Sequence, residues 1–153
     1  MRRTFPAAAL LMAAAGTANA DGASNGSQVF ETSCAFCHQA GGVGVPGQFP
    51  RLAGRVGAIA ANSEGKKLLS QILLAGMAGR IVVDGEQIIG VMPAFDALSD
   101  DDIAAVLSYL TGLDHAAVPY TAEEIKLSRE QAKSSPPDVV AQRAKLAAEK
   151  IAP

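Results

Sequence analysis

Tryptophan is absent, and phenylalanine and tyrosine are so few that aromatics make up only 5% of the 153 residues. Aromatic side chains supply much of the buried area of a compact core. A chain this short of them must fill its interior with small aliphatics or fold around something that is not a side chain. Cysteine is nearly missing too, with two residues, Cys34 and Cys37, which excludes a disulfide framework. A single bridge across two intervening residues would be strained and would close little chain entropy. With only two histidines, there is no second Cys/His cluster to complete a zinc site. Basic residues are outnumbered, 13 Lys and Arg against 15 Asp and Glu, for a formal charge of −2. That balance argues against nucleic acid and against an anionic membrane surface, both of which reward clustered cations. The length suits one domain with an appendage.

Residues 1–20 read as a signal segment: Arg2 and Arg3, an apolar run from Ala7 to Ala15, and Ala18-Asn19-Ala20 as a cleavage site. Arg2-Arg3-x-Phe5 resembles a twin-arginine signal without its fuller pattern, and general secretion is the expectation. Cleavage before Asp21 would take the formal charge from −2 to −4. The apolar run is too short and alanine-rich to favour a spanning helix, and no other stretch is long enough to cross a bilayer.

Cys34-Ala35-Phe36-Cys37-His38 is a C-x-x-C-H string, the attachment pattern for c-type haem. Two thiols at this spacing can each add to a vinyl group on one haem edge, while the adjoining imidazole reaches the iron. The main rival is a thioredoxin-type redox C-x-x-C, which belongs near a βαβ pattern that the sequence lacks. Downstream, Gly41-Gly42-Val43-Gly44-Val45-Pro46-Gly47 is loop chemistry, followed by Pro50 twelve positions after His38 and by Leu52. An apolar helix through Lys67–Ala75 ends at Gly76 and leads to Met77, where packing is the commoner role for methionine. Arg80–Gly90 reads as a short hairpin turning at Asp84-Gly85. Beyond it, Gly90-Val91-Met92-Pro93-Ala94-Phe95 is a loop in which proline holds the chain extended, so Met92 is the better placed of the two thioethers to meet a metal. Ser99 and Asp102 then open a helix whose Ile103, Val106, Leu107 and Leu110 recur at helical spacing.

Residues 25 to 112 together resemble the class I cytochrome c family. The resemblance implies an all-α fold wrapped around one covalent haem c, here with a short β-hairpin before the methionine loop. It implies that Gly26 permits a close crossing of the first and last domain helices and that Phe30 packs beside the haem. It also implies that Pro50 offers its carbonyl to the free nitrogen of His38, with Pro46 as the fallback, and that Met92, in its Met-Pro-x-Phe setting, is the second axial ligand. Leu52 is counted with the haem-contacting residues. Cys34, Cys37, His38 and Met92 are therefore the expected cofactor residues, and His38 and Met92 the metal ligands. His115 lies beyond the last domain helix in a charged stretch and reads as solvated.

The expected organisation is a signal over 1–20, a cytochrome domain over 21–112 and a helical extension over 113–153. In the extension, Thr121-Ala122-Glu123-Glu124 opens one helix to about Lys133, and Ser135-Pro136-Pro137 opens another to about Ile151. Val140, Ala144, Ala147 and Ile151 form a thin apolar stripe, expected to pack back on the domain.

The function implied is a periplasmic, non-enzymatic carrier of single electrons, accepting from a dehydrogenase and passing toward a terminal oxidase or another cytochrome. The Val45–Pro50 run, the hairpin and the Gly-Val-Met-Pro-Ala-Phe string are similar to cytochromes and cytochrome subunits of periplasmic quinoprotein alcohol dehydrogenases. A bound dehydrogenase subunit is therefore one alternative. A gas-binding or peroxidatic haem protein is another.

Overall fold

A computed structural model describes residues 21–113, 117–131 and 134–152. The signal segment and His115 lie outside the described residues. Among the described residues, seven α-helices and a two-stranded antiparallel sheet follow one another in the order α1 (Asp21–Ser33), α2 (Ala35–His38), α3 (Val56–Ala60), α4 (Ser63–Ala75), β1 (Met77–Val83), β2 (Glu86–Met92), α5 (Asp100–Gly112), α6 (Ala122–Gln131) and α7 (Pro136–Ala148). A 3₁₀ turn at Ala40–Gly42 is what remains helical of the glycine-rich segment.

α1 and α5 cross closely. A Cβ on Gly26 would overlap the carbonyl oxygen of Ala105 and sit 2.9 Å from Tyr109 Cβ, so only a residue without a side chain fits the crossing. Phe30 is fully buried there, its ring 5.7 Å from that of Tyr109 and tilted by 45°. α5 starts as its sequence indicates: Ser99 Oγ accepts from the Asp102 N–H at 3.1 Å and donates to its carboxylate at 2.7 Å. Three aspartates in its first turn complement the helix dipole. Its inward face, Ile103, Val106, Leu107 and Leu110, joins Leu68, Leu69, Leu73 and Leu74 of α4 in the core. Asn62 caps α4, its side-chain oxygen accepting from the Glu64 and Gly65 N–H groups.

The hairpin is longer than the sequence suggests. Pairing runs from Met77↔Met92 to Val83↔Glu86, and the turn at Asp84-Gly85 has φ of 54° and 82°. Two consecutive positive φ values are the signature of a two-residue hairpin turn whose twist matches the strands. Arg51 and Arg55 both reach the Asp84 carboxylate, at 2.9 and 3.2 Å, and tie the turn to the helical body.

The extension packs back on the domain. α6 opens with a reciprocal cap between Thr121 and Glu124. Lys66 of α4 binds Glu124 at 2.5 Å and lies over the Tyr120 ring. Arg129 donates to the Asp100 carboxylate and to the carbonyls of Asp96 and Leu98, which holds the segment after Met92 and the start of α5 against α6. α7, capped by Ser135 through the Asp138 carboxylate, lies against β1 and α4. Its buried face corrects the stripe expected from apolar spacing. Val139, Arg143 and Leu146 are the buried positions, whereas Ala144 is exposed and Val140, Ala147 and Ile151 are half-buried. The stripe is displaced because one of its inward side chains is an arginine, which an apolar pattern does not count. α7 also ends at Ala148, short of Ile151.

Candidate functional site

Cys34 ends α1's run, and α2 continues from it for four residues to His38. The His38 N–H bonds to the Cys34 carbonyl at 3.0 Å, so both cysteines and the histidine lie on a single helical turn. That is the local reason for the motif's spacing: one turn of helix brings i and i+3 to the same side. All three side chains line one cavity of about 540 Å³. Its remaining wall is mostly apolar, from Phe49 and Pro50 after the glycine-rich loop and from Met77, Ile81, Ile88, Val91 and Met92 of the hairpin. A narrower cavity of about 100 Å³ adjoins it, sharing Cys34, His38, Pro50, Met77, Ile81 and Met92 and adding Leu52, Val106, Leu107 and Leu110.

His38 is buried, and its Nδ1 lies 2.9 Å from the Pro50 carbonyl oxygen. A carbonyl only accepts, so Nδ1 carries the proton and Nε2 keeps its lone pair. Burial lowers the imidazole's affinity for a proton, and the bond to Pro50 opposes this in part. The result is a neutral ring with one free donor atom, the state in which histidine binds metals. Burial, reinforced by Cys37, pushes the Cys34 thiol up to about 11. A thiol held that far from ionisation is a poor attacker in disulfide exchange, which weighs against the thioredoxin-type reading.

Met92 is not presented by a free loop. It is the last residue of β2, half-buried, with Pro93 following. Met77, just beyond the end of α4, is buried in the core as expected of a packing residue; it opens β1 and is the direct ladder partner of Met92. Directly opposed residues project to the same face of a sheet, so both thioethers border the cavity. Gly76, at φ 73°, lets the chain leave α4 and enter β1. Its Cα passes so close to the methionine segment that a Cβ would lie 2.6 Å from the Met92 carbonyl oxygen. The Phe95 N–H bonds to Leu73 O at 2.7 Å and fixes the far side of the same segment.

Of the residues expected at the cofactor, Cys34, Cys37, His38, Pro50, Leu52 and Met92 line the cavities. Phe30 is fully buried in the α1–α5 crossing against Tyr109 and is not among the residues lining these two cavities. Sequence reasoning missed Met77 as a cavity residue, because the register pairing it with Met92 is non-local. It also missed Arg51, Arg55 and Arg143, which border the narrower cavity.

Among the described residues no group of three His, Cys, Asp or Glu side chains is placed to hold a metal ion by itself. Two thiols and an imidazole on one turn, a thioether from another element and an apolar space in the size range of ligand pockets do fit a covalently held haem. Such a fold and donor set define the class of covalent haem proteins built from helices around the porphyrin. The family model for cytochrome c matches residues 23–114. A cytochrome c-552 of Thermus thermophilus is 43% identical over 152 residues, covering 95% of this chain and 98% of that protein. Another cytochrome c-552 from Thermus thermophilus is 44% identical over 128 residues, covering 80% of this chain and 96% of its own length. The chain belongs to the cytochrome c family, as a class I monohaem member. It carries one covalently bound haem c and is an electron-transfer protein.

Proposed function

We propose that Cys34 and Cys37 would carry the thioether links, that His38 Nε2 and Met92 Sδ would hold the iron, and that the protein shuttles electrons one at a time between exported redox proteins. The observation that carries this reading is the His38 Nδ1–Pro50 bond, which leaves Nε2 as the ring's free donor in a cavity shared with both cysteines and Met92. Bound haem supplies a one-electron ferric/ferrous couple. The chain's part is to hold the ligands, exclude water and set the potential. Imidazole from His38 and thioether from Met92 would together raise the potential of the iron they hold. The neutral His38 ring, oriented by a backbone carbonyl rather than a mobile side chain, keeps ligand geometry constant through each cycle.

Export to the periplasm, with the 1–20 segment removed, is part of the proposal. It is supported by that segment's three-part pattern, and no helix among the described residues is long and apolar enough to cross a membrane. Redox partners are proposed to be a periplasmic dehydrogenase as donor and a terminal oxidase or another cytochrome as acceptor. Phe36, Ile89 and Val91 are apolar side chains that border the cavity, next to the haem site. Small faces of this kind suit transient electron-transfer encounters, which bury less than about 1,200 Å². The same face would serve a permanent dehydrogenase subunit; co-purification with a dehydrogenase from periplasm separates the two.

Met92→Ala tests the ligand assignment, with Met77→Leu as its partner experiment. The expected outcome is that Met92→Ala loses the thioether–ferric charge-transfer band, binds carbon monoxide readily and lowers the ratio of reduced to oxidised haem at least tenfold, about 59 mV for one electron. Met77→Leu keeps the band. The reverse pattern would move the ligand to Met77, and ready carbon monoxide binding by the parent at neutral pH would favour the gas-binding alternative.

A further inference from the structure

The segment from Pro93 to Ser99 joins Met92 to the start of α5. Pro93 and Phe95 line the larger cavity, whereas Ala94, Asp96, Ala97 and Ser99 are exposed. A segment with so little apolar burial is easily displaced, and the hydrogen bonds it makes set its position. On one side the Phe95 N–H donates to the Leu73 carbonyl of α4. On the other side stands a single guanidinium. Arg129 Nη1 donates to the Asp96 carbonyl at 2.7 Å and Nη2 to the Leu98 carbonyl at 3.0 Å, while Nε donates to the Asp100 carboxylate at 2.9 Å. The carboxylate fixes the plane of the fork at the first residue of α5, so its two arms meet the carbonyls in a set direction. Arg129 and Asp100 are both half-buried, which spares the pair full screening by solvent.

Arg129 lies on α6, past the stretch that matches the family model, and it lines neither of the two cavities at His38. Any effect it has on the site must therefore pass through the segment it holds. We propose that Arg129 is a positioning residue for Met92. By bracing the Asp96 and Leu98 carbonyls it slows the departure of the thioether from the iron, and so sets how readily an outside ligand gains access. Hydrogen bonds from a charged donor hold more strongly than neutral ones, so one side chain suffices to steady an exposed segment. The carboxy-terminal extension thereby governs access to the metal without touching it. The inference rests on Met92 as the ligand proposed above.

The test uses full-length, haem-loaded ferric protein and three variants: Arg129→Gln, Arg129→Lys and Glu124→Gln. Glutamine removes the fork and its charge; lysine keeps a cation that can donate to one carbonyl. Glu124→Gln breaks the ion pair with Lys66 that ties the same helix to α4, away from the Met92 segment. Imidazole is the probe, added in excess, and the rate at which the thioether–ferric band disappears reads the rate at which Met92 leaves. Melting temperatures are measured alongside. The expected result for Arg129→Gln is a rate higher by at least about tenfold, the scale set by losing a charge-assisted hydrogen bond. Arg129→Lys falls between that rate and the parental one, and Glu124→Gln keeps the parental rate. Should Arg129→Gln fail to accumulate, Arg129→Lys decides: a rate above the parental one supports the proposal and a parental rate overturns it. A parental rate in Arg129→Gln, with the band intact, overturns the proposal and leaves the ligand assignment standing. Equal acceleration by Arg129→Gln and Glu124→Gln, in step with equal losses of melting temperature, reduces Arg129 to holding α6 in place and overturns it too. A parent without the band refutes the ligand assignment and the proposal together.

Discussion

Gly26→Ala inverts the usual effect of placing alanine in a helix, and the size of the inversion follows from the α1–α5 crossing. On an isolated helix, alanine is favoured over glycine by roughly 1 kcal/mol. Here the added Cβ would overlap the Ala105 carbonyl oxygen and lie 2.8 Å from that carbonyl's carbon and 2.9 Å from Tyr109 Cβ. Two of the three obstacles are backbone, and neither can rotate away. The helices must separate by roughly 0.5–1 Å, which forfeits about a quarter to a half of the dispersion energy of each contact across the crossing. Overpacking of this sort costs typically ~1–3 kcal/mol. The net expectation is destabilisation by up to about 2 kcal/mol, which at this chain length lowers the melting temperature by up to roughly 4–8 °C. Gly112→Ala is the matched control. Among the described residues, apart from its chain neighbours and its own helix backbone, no atom lies within 4 Å of its would-be Cβ; it is the last residue of α5 and its φ is not positive, so alanine there should add about 0.4–1 kcal/mol. Urea unfolding of the haem-loaded protein, followed by far-ultraviolet circular dichroism, reads both. Equal stability of the two variants would refute the steric argument.

Gly76→Ala should act on the haem rather than on global stability alone, since its Cβ would press on the Met92 carbonyl and its φ of 73° is disfavoured for alanine; the expected outcome is a weakened thioether–ferric band, and an unchanged band would count against Gly76 as the residue that positions Met92. Asp84 is held below the ordinary carboxylate range, first by its bond to Arg51 and then by the charges of Arg51 and Arg55. A depressed folded-state value means that its contribution is present above about pH 4 and disappears as pH falls through the lower folded value. Melting temperatures measured from pH 6 down to 2 should therefore fall less steeply on the acid side in Asp84→Asn, and parallel curves would exclude Asp84 as a contributor.

Two arginines of the extension reach the segments around the methionine strands. Arg129 on α6 grips the segment after Met92, and Arg143 on α7 grips β1 at Val82. The methionine strand pair is thereby held from both ends by residues that follow the family-matched stretch. Identity with one Thermus thermophilus protein spans 95% of the chain, so the similarity takes in the extension as well as the haem domain.

Much of the site was legible because its determinants are local. C-x-x-C-H is set by one helical turn, the hairpin turn by the tolerance of Asp84-Gly85 for positive φ, and the starts of α5, α6 and α7 by side chains that cap their own backbone within three residues. The bond from His38 to Pro50 was anticipated by family resemblance at a separation of twelve. Tertiary structure alone decided what depends on registers and crossings. Ladder pairing made Met77 the neighbour of Met92, and the helix crossing buried Phe30 against Tyr109. The packing of α7 turned a charged residue inward where apolar spacing favoured Val140 and Ala144. A sequence pattern scores each side chain by its own affinity for water. Whether a charged one is buried depends on which partners the fold brings to it from elsewhere in the chain.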